Sequence, residues 1–144
     1  MHRKTSIRHA EKSDVQAIAR LMAGMGFEHS AEEIERRWTL VHNHEQDHVL
    51  LAEEGRTPFG LIAVHIAPLL FYPNSLARIT TLVVEPTKRR LGIGRSLVSE
   101  VISLATESGC DTIELTTGLA REEAHAFYCS IGFQQSALRM SRRI

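Results

Sequence analysis

The sequence predicts an α/β protein: a mixed β-sheet covered by helices, built as one domain over residues 1–144. Three observations carry this. Apolar periodicity orders the elements β-α-α-β-β-β-α-β-α-β, a run of strands followed by strands that alternate with helices. A chain of 144 residues has room for one ordinary core, with roughly 68–70% of the unfolded surface buried at this size. No internal repeat or linker interrupts the pattern.

The elements follow in order. Ser6-Ile7-Arg8-His9-Ala10 reads as a first strand. Ser13-Asp14-Val15-Gln16 has the capping-box form, and Val15, Ile18, Met22 and Met25 recur at helical spacing, so a helix is expected from Asp14 to Met25. Ser30-Ala31-Glu32-Glu33 repeats the capping form before the stripe Ile34, Trp38 and Val41 of a second helix. His48 to Glu53 and Phe59 to Ile66, joined through Gly55 and Pro58, make an antiparallel hairpin. The loop Leu69-Leu70-Phe71-Tyr72 is apolar, as a lid or a dimer contact would be. Ala77 to Val84 is β-branched and apolar, the strongest strand in the chain, and Pro86 ends it. Ile93 to Ser108 is a helix with Leu97, Val98, Val101, Ile102 and Ala105 inward and Gly109 just past its end. Thr112 to Thr116 is a strand, Arg121 to Ile131 a helix closed by Gly132, and Phe133 to Met140 a last strand.

Composition removes several function classes. Seventeen basic residues balance seventeen acidic ones, so no general field attracts nucleic acid or an anionic membrane. Apolar residues at 43% and charged residues at 24% exclude a disordered chain. Cys110 and Cys129 form no C-x-x-C pair, which excludes a zinc ribbon or disulfide framework. No apolar run nears the length of about eighteen residues needed to span a bilayer, and no apolar segment follows the basic N-terminus. A reduced, cytoplasmic protein is the expectation. His42-x-His44-x3-His48 is spaced like metal ligands but lies in a polar run without Cys or a paired-carboxylate pattern; solvation is the expectation, and no metal is predicted.

Chemistry concentrates in Ile79-Thr-Thr-Leu-Val-Val-Glu-Pro-Thr-Lys-Arg-Arg-Leu-Gly-Ile-Gly-Arg-Ser96: a buried strand, a basic turn, two glycines and a helix start. The first N–H groups of a helix lack intrahelical acceptors, and the macrodipole adds partial positive charge there. Gly92 and Gly94 would let a pyrophosphate approach the backbone. Lys88, Arg89, Arg90 and Arg95 load that helix end with cations, which is wrong for the helix unless an anion sits there. The plainer reading is a glycine-lightened turn with solvated arginines. G-x4-G-K-[ST] is absent. Gly92-Ile93-Gly94-Arg95-Ser96-Leu97 has Leu where a dinucleotide fingerprint needs a third Gly or Ala, although Glu114, twenty residues past Gly94, mimics the ribose-binding acid.

Val84-Glu85-Pro86-x-x-Arg89-x-x-Gly92-Ile93-Gly94 resembles the acetyl-CoA motif of the GNAT superfamily of N-acetyltransferases, R/Q-x-x-G-x-G/A. Ala124-His125-Ala126-Phe127-Tyr128-x-x-x-Gly132-Phe133 is similar to that superfamily's second block, and Ile7-Arg8-x-Ala10-x-x-x-Asp14 to its usual start. The resemblance implies a GNAT-like fold whose central strands splay apart at Leu82–Val84 and Thr112–Thr116. It implies a bulge at Leu82, Val83 and Val84, whose freed backbone groups bind pantetheine and the thioester. It places the pyrophosphate of acetyl-CoA on the backbone of Arg89, Arg90, Leu91, Gly92, Ile93, Gly94, Arg95 and Ser96. Tyr128 stands where many members have the general acid. Arg121 replaces an Asn that reaches CoA in many members. Thr80 and Thr81 stand where an acidic residue often lies, so no general base is named; Glu28, Glu53, Glu85 and His65 are the candidates for a water relay.

The resulting expectation is an acetyl-CoA-dependent N-acetyltransferase acting on a primary amine of a small molecule through a ternary complex, with a peptide or protein amine second. Glu114-Leu-Thr-Thr with Arg121 and Ala124-His125-x-Phe127-Tyr128 is similar to the aminoalkylphosphonate and aminoglycoside branches. A silent acyl-CoA-binding sensor and a nucleotide-binding module are the alternatives. Homodimers are common in the superfamily, so a homodimer is expected, with no nucleic-acid or membrane partner.

Overall fold

The computed structural model describes residues 4–118 and 121–144. Five strands form one sheet in sequence order: β1 (Ser6–His9), β2 (Asp47–Glu54), β3 (Thr57–Ala67), β4 (Ser75–Val84) and β5 (Cys110–Leu115). The first three pairings are antiparallel and β4–β5 is parallel. A parallel neighbour requires a crossover, and helix α3 (Ile93–Glu107) provides it. Helices α1 (Val15–Ala23) and α2 (Ala31–His42) lie between β1 and β2 in sequence, and α4 (Glu122–Ser130) follows β5.

Strand alternation assigns the two faces. Leu50, Ala52, Ile62, Val64, Ile66, Ala77 and Ile79 pack with Leu97, Val98, Val101 and Ala105 of α3. Leu51, Leu61 and Val83 turn the other way, against Val15, Ile18 and Leu21 of α1 and Ile34 of α2. The sheet is thus sandwiched by helices where it is apolar on both sides. Ile102, expected inward, is exposed, because the inward stripe of α3 runs through Leu97, Val98, Val101 and Ala105.

Two further expectations are corrected. Ser13 does not cap α1. A short 3-10 turn, Lys12–Asp14, comes first, and Asp14 Oδ2 accepts from the Glu11 N–H at 2.7 Å. Ser30 does cap α2, accepting from the Glu33 N–H at 3.1 Å. The strand expected over Phe133 to Met140 is absent: that segment pairs with no strand among the described residues, and Leu138 and Met140 lie exposed. Arg139 Nη1 donates to Thr116 Oγ1 at 2.9 Å, so a side-chain contact stands where a ladder was expected.

The start of the chain is held by a charge cluster. Arg8 on β1 donates to both oxygens of Asp14 (2.8 and 2.9 Å) and of Glu53 on β2 (2.9 and 3.0 Å). Both carboxylates are buried. The guanidinium holds the Asp14 carboxyl below the usual carboxylate range, and the two carboxylates raise Arg8 further. Glu53, a candidate relay base, is therefore engaged. Glu85 is engaged too, by Arg20.

Candidate active site

β4 ends at Val84, and the Glu85 N–H donates to Phe59 O at 2.8 Å. A 3-10 turn, Pro86–Lys88, leads to Arg89 in extended conformation. Arg90 then takes φ 64°, the one non-glycine residue in left-handed space among the described residues. Gly92 follows at φ 79° as the N-cap of α3. Left-handed positions at Arg90 and Gly92, on either side of Leu91, curl the chain into a turn rich in free N–H groups, a geometry suited to an anion. Among the described residues the N–H groups of Arg90 through Arg95 meet no backbone or side-chain acceptor. The first satisfied N–H is that of Ser96, bonded to Gly92 O at 3.0 Å.

The cations around this cradle divide. Arg89 Nε donates to Val84 O at 3.2 Å, and Arg95 Nη2 reaches Ser130 O at 3.4 Å. Arg90 is exposed and makes no side-chain hydrogen bond among the described residues. Lys88, counted with them in the sequence, turns away: its Nζ lies 3.6 Å from Glu54 Oε2 and 5.3 Å from the centre of the Phe59 ring. Gly94 also has a different reason from the one expected. A Cβ there would sit 3.1 Å from Phe127 Cζ, so the missing side chain admits the α4 ring. That contact brings α4 against the start of α3.

Beside the cradle, β4 outruns its neighbour. Pairing with β5 runs from Ser75↔Cys110 to Ile79↔Leu115 and stops, while β4 continues to Val84. The strands part at Leu82–Val84 as the resemblance implies, but on β5 the expected segment is corrected: Thr112–Leu115 still pair with Leu76–Ile79, so the parting begins only past Leu115. The bulge, however, is at Thr80 and not at Leu82–Val84: Ala63 pairs with Thr81 and Val64 with Ile79, so Thr80 is the extra residue, its hydroxyl donating to Ala63 O at 3.4 Å. Leu82, Val83 and Val84 pair regularly with Ile62, Leu61 and Gly60 of β3. Since the Glu85 N–H points at β3, alternation directs the N–H groups of Val84 and Leu82 to the unpaired edge. Two residues beyond β5, the buried hydroxyl oxygen of Thr117 has no hydrogen-bond partner among the described residues. The fold leaves the N–H groups of Leu82 and Val84 on an unpaired edge next to the free N–H groups at the start of α3, an arrangement that suits a long polar ligand ending in an anion.

Tyr128 lies on α4, edge-on to Phe127 (5.2 Å between centres) and Phe133 (5.7 Å). Burial pushes its hydroxyl above the ordinary tyrosine value, with Arg121 pulling slightly the other way. It is therefore protonated at neutral pH. Arg121 is the exposed N-cap of α4, its N–H bonded to Gly118 O at 3.1 Å. His125 Nε2 lies 2.8 Å from the same carbonyl, which ties α4 to the loop after β5.

One further feature had no signal in the linear chain. Asp47, His65, Arg78 and Glu114 are successive register partners across β2, β3, β4 and β5. They share the face opposite α3, beyond the cover of α1 and α2. Asp47 Oδ1 lies 3.0 Å from His65 Nδ1, and Arg78 Nη1 donates to Glu114 Oε1 at 2.9 Å. The row ends one residue before β4 and β5 part. Residues so distant along the chain meet only through register. Of the four relay candidates, His65 stands in this row and Glu28 is exposed.

The family profile described as "Acetyltransferase (GNAT) family" matches residues 12–133. The chain is 32% identical over 97 residues to the aminoalkylphosphonate N-acetyltransferase of Salmonella typhimurium, a match covering 67% of this chain and 63% of that protein. It spans less than two thirds of the length of the curated relatives it matches, 63% of one and 50% of another. A crystal structure described as a transcriptional regulator from Bacillus halodurans superposes with a TM-score of 0.90 at 26% identity, over 98% of this chain and 100% of that one. A GNAT family acetyltransferase of Staphylococcus aureus shares the fold with a TM-score of 0.84 at 17% identity, over 97% and 98% of the two chains.

Proposed function

This chain belongs to the GNAT family of acetyltransferases, and from that premise we propose that it moves an acetyl group from acetyl-CoA to a primary amine of a small molecule, by direct attack in a ternary complex. One observation carries the reading: the unsatisfied N–H groups from Arg90 to Arg95 adjoin the unpaired edge of β4. Acetyl-CoA supplies the thioester.

The residues then divide the work. The N–H groups of Arg90, Leu91, Gly92, Ile93, Gly94 and Arg95, with the end of the α3 dipole, hold the pyrophosphate, and Arg89, Arg90 and Arg95 neutralise it. Ser96 closes the cradle by fixing Gly92 O with both its N–H and its hydroxyl. Leu82 and Val84 turn their N–H groups to the pantetheine arm, whereas Val83 packs against α1 and α2 and is set aside as a contact. The Val84 N–H donates to the developing oxyanion. Tyr128 gives its proton to the leaving sulfur; a free thiol has a pKa of about 8.5, so near pH 7 the sulfur leaves more easily when protonated. Arg121, the exposed N-cap of α4, serves as a further anion contact. The amine loses its proton to water, since Glu53 and Glu85 are both in ion pairs.

A small-molecule acceptor is supported by the Salmonella relative, whose name specifies an aminoalkylphosphonate. Equal numbers of acidic and basic residues give no reason to expect a nucleic-acid or membrane-surface partner. No helix among the described residues is long and apolar enough to cross a membrane. A cytoplasmic homodimer completes the reading, with the exposed Leu70 and Phe71 as its contact.

The test is free-thiol release from acetyl-CoA with aminoalkylphosphonates, aminoglycosides, polyamines, amino acids and short peptides, beside calorimetric CoA binding. Release above background with one small-molecule class is the expected outcome. Binding without turnover would move the chain to a silent acyl-CoA sensor. No CoA binding would sink the reading.

A further inference from the structure

We propose that His44, Asp47 and His65 bind one divalent transition-metal ion, zinc or a neighbour such as cobalt, at the junction of α2, β2 and β3. The spaced histidines of the sequence are not the ligand set. His42 stacks on Trp38, with rings 4.3 Å apart and 12° from parallel. His48 faces the α3 side of the sheet, near His9 at 6.1 Å. Of that trio only His44 remains, and the fold brings it two partners.

Asp47 presents one oxygen to each imidazole. His44 Nδ1 lies 3.0 Å from Oδ2, and His65 Nδ1 lies 3.0 Å from Oδ1. The three ligand atoms lie within 4.8 Å of one another, with the rings 5.4 Å apart. A tetrahedral zinc ion with ligands at ~2.1 Å separates them by about 3.4 Å, so small side-chain movements accommodate it. Two imidazoles and one carboxylate are a donor set for zinc, cobalt or nickel and leave a fourth position for water.

The scaffold holds these groups in place. Asp47 and His65 are direct register partners on neighbouring strands. A tight turn sets His44 against Asp47, whose N–H donates to His44 O at 3.0 Å. His44 and Asp47 also line a cleft of about 360 Å³ between the end of α2 and the β1–β2 edge, which gives the ion a way in. In the metal-free state the two nitrogens share the carboxylate through hydrogen bonds. In the bound state each Nδ1 gives its lone pair to the ion and the proton it carried stands on Nε2 instead, exchanged through water, so the change balances as a tautomer shift of a neutral ring. The bound ion would clamp the α2–β2 turn to β3 and stabilise the fold by mass action.

The experiment titrates cobalt(II) into the chelator-treated full chain without a histidine tag, reading visible d–d absorption and melting temperature, followed by zinc displacement. One equivalent with tetrahedral-type bands, a raised melting temperature and loss of the bands on adding zinc is the expected result. Asp47→Asn and His65→Ala lose both signals, whereas His48→Ala keeps them. Metal-free melting of each variant reports whether it still folds, and His44→Ala, at an exposed turn, serves if His65→Ala does not. Absence of bands and of any melting shift in the parent chain overturns the proposal, as do bands that survive His65→Ala but vanish with His48→Ala. None of these readouts involves acetyl-CoA, so failure here and failure of the acetyl-transfer reading are separate results.

Discussion

Two charged regions of this molecule treat charge in opposite ways. At the Arg8 cluster every formal charge meets a partner: one guanidinium bridges two buried carboxylates through four hydrogen bonds. At the start of α3, the N–H groups from Arg90 to Arg95 meet no acceptor among the described residues, and Arg90 points to solvent. The first region closes on itself and holds β1, β2 and the entry to α1 together. The second is open, strained at a left-handed arginine, and of value only when an anion arrives. Satisfied polar groups mark the scaffold, and unsatisfied ones mark the site.

The contrast is broken most forcefully at Arg8. Arg8→Ala leaves two buried carboxylates without a counter-ion, at a cost of about 3 kcal/mol after allowance for the partial exposure of Arg8. Urea unfolding measures it, and a change under about 1 kcal/mol would mean that the cluster is not a clamp. The same experiment against pH checks the sign. Asp14 has its folded value lowered, so its contribution is full above the ordinary carboxylate value of about 3.9 and lost as pH falls through the lower folded value. The acid-side loss of stability should be clear in the parent and shallow in Arg8→Ala.

Tyr128→Phe tests the open region next. The ring stays against Phe127 and Phe133, so melting and CoA affinity should hold, while kcat falls roughly 10²-fold or more, the usual contribution of a general acid. An unchanged kcat would remove Tyr128 from the reaction. Burial raises its pKa above the ordinary tyrosine value, about 10. Any alkaline limb that belongs to Tyr128 should therefore lie above that value and vanish in the Tyr128→Phe variant. Gly94→Ala drives a methyl toward Phe127 at 3.1 Å, and overpacking of this kind costs about 1–3 kcal/mol. Weaker CoA binding should accompany it, since the Phe127 ring must shift off the start of α3. Gly92→Ala puts a side chain at φ 79° with open space around it, a cost of about 1 kcal/mol from backbone strain alone. Smallest, raising salt should weaken CoA binding at the exposed cradle and leave the Arg8 cluster nearly unaffected. Equal salt dependence of stability and binding would remove the distinction between the two regions.

How much was legible follows the range of each cause. The helix stripes of α1 and α3, the Ser30 cap and the strand–glycine–helix passage at Val84–Ser96 rest on neighbours within a turn or two, and they stand in the structure. Two misplaced features are local, Ser13 displaced as a cap by the 3-10 turn at Lys12–Asp14 and Ile102 lying off the inward stripe of α3; the others depend on distant partners. The expected last strand needed a ladder that the segment after Phe133 does not find. The bulge sits at Thr80 because the β3 register places it there, which no local run of residues specifies. Gly94 read as room for a ligand, but Phe127, from a helix far along the chain, occupies that side.

By itself the sequence determined the order of the elements as far as α4, most of the faces they bury, the anion-seeking helix start and the family to which its motifs point, because apolar periodicity, capping chemistry and glycine placement act over short distances. Tertiary structure alone decided which charges are spent and which are free. Lys88 pairs with Glu54, Arg8 with Asp14 and Glu53, and His65 with Asp47, each across strands or turns that composition cannot see. Register brings such partners within about 3–4 Å, and at that range one hydrogen bond determines whether a charged group serves the fold or remains available to a ligand.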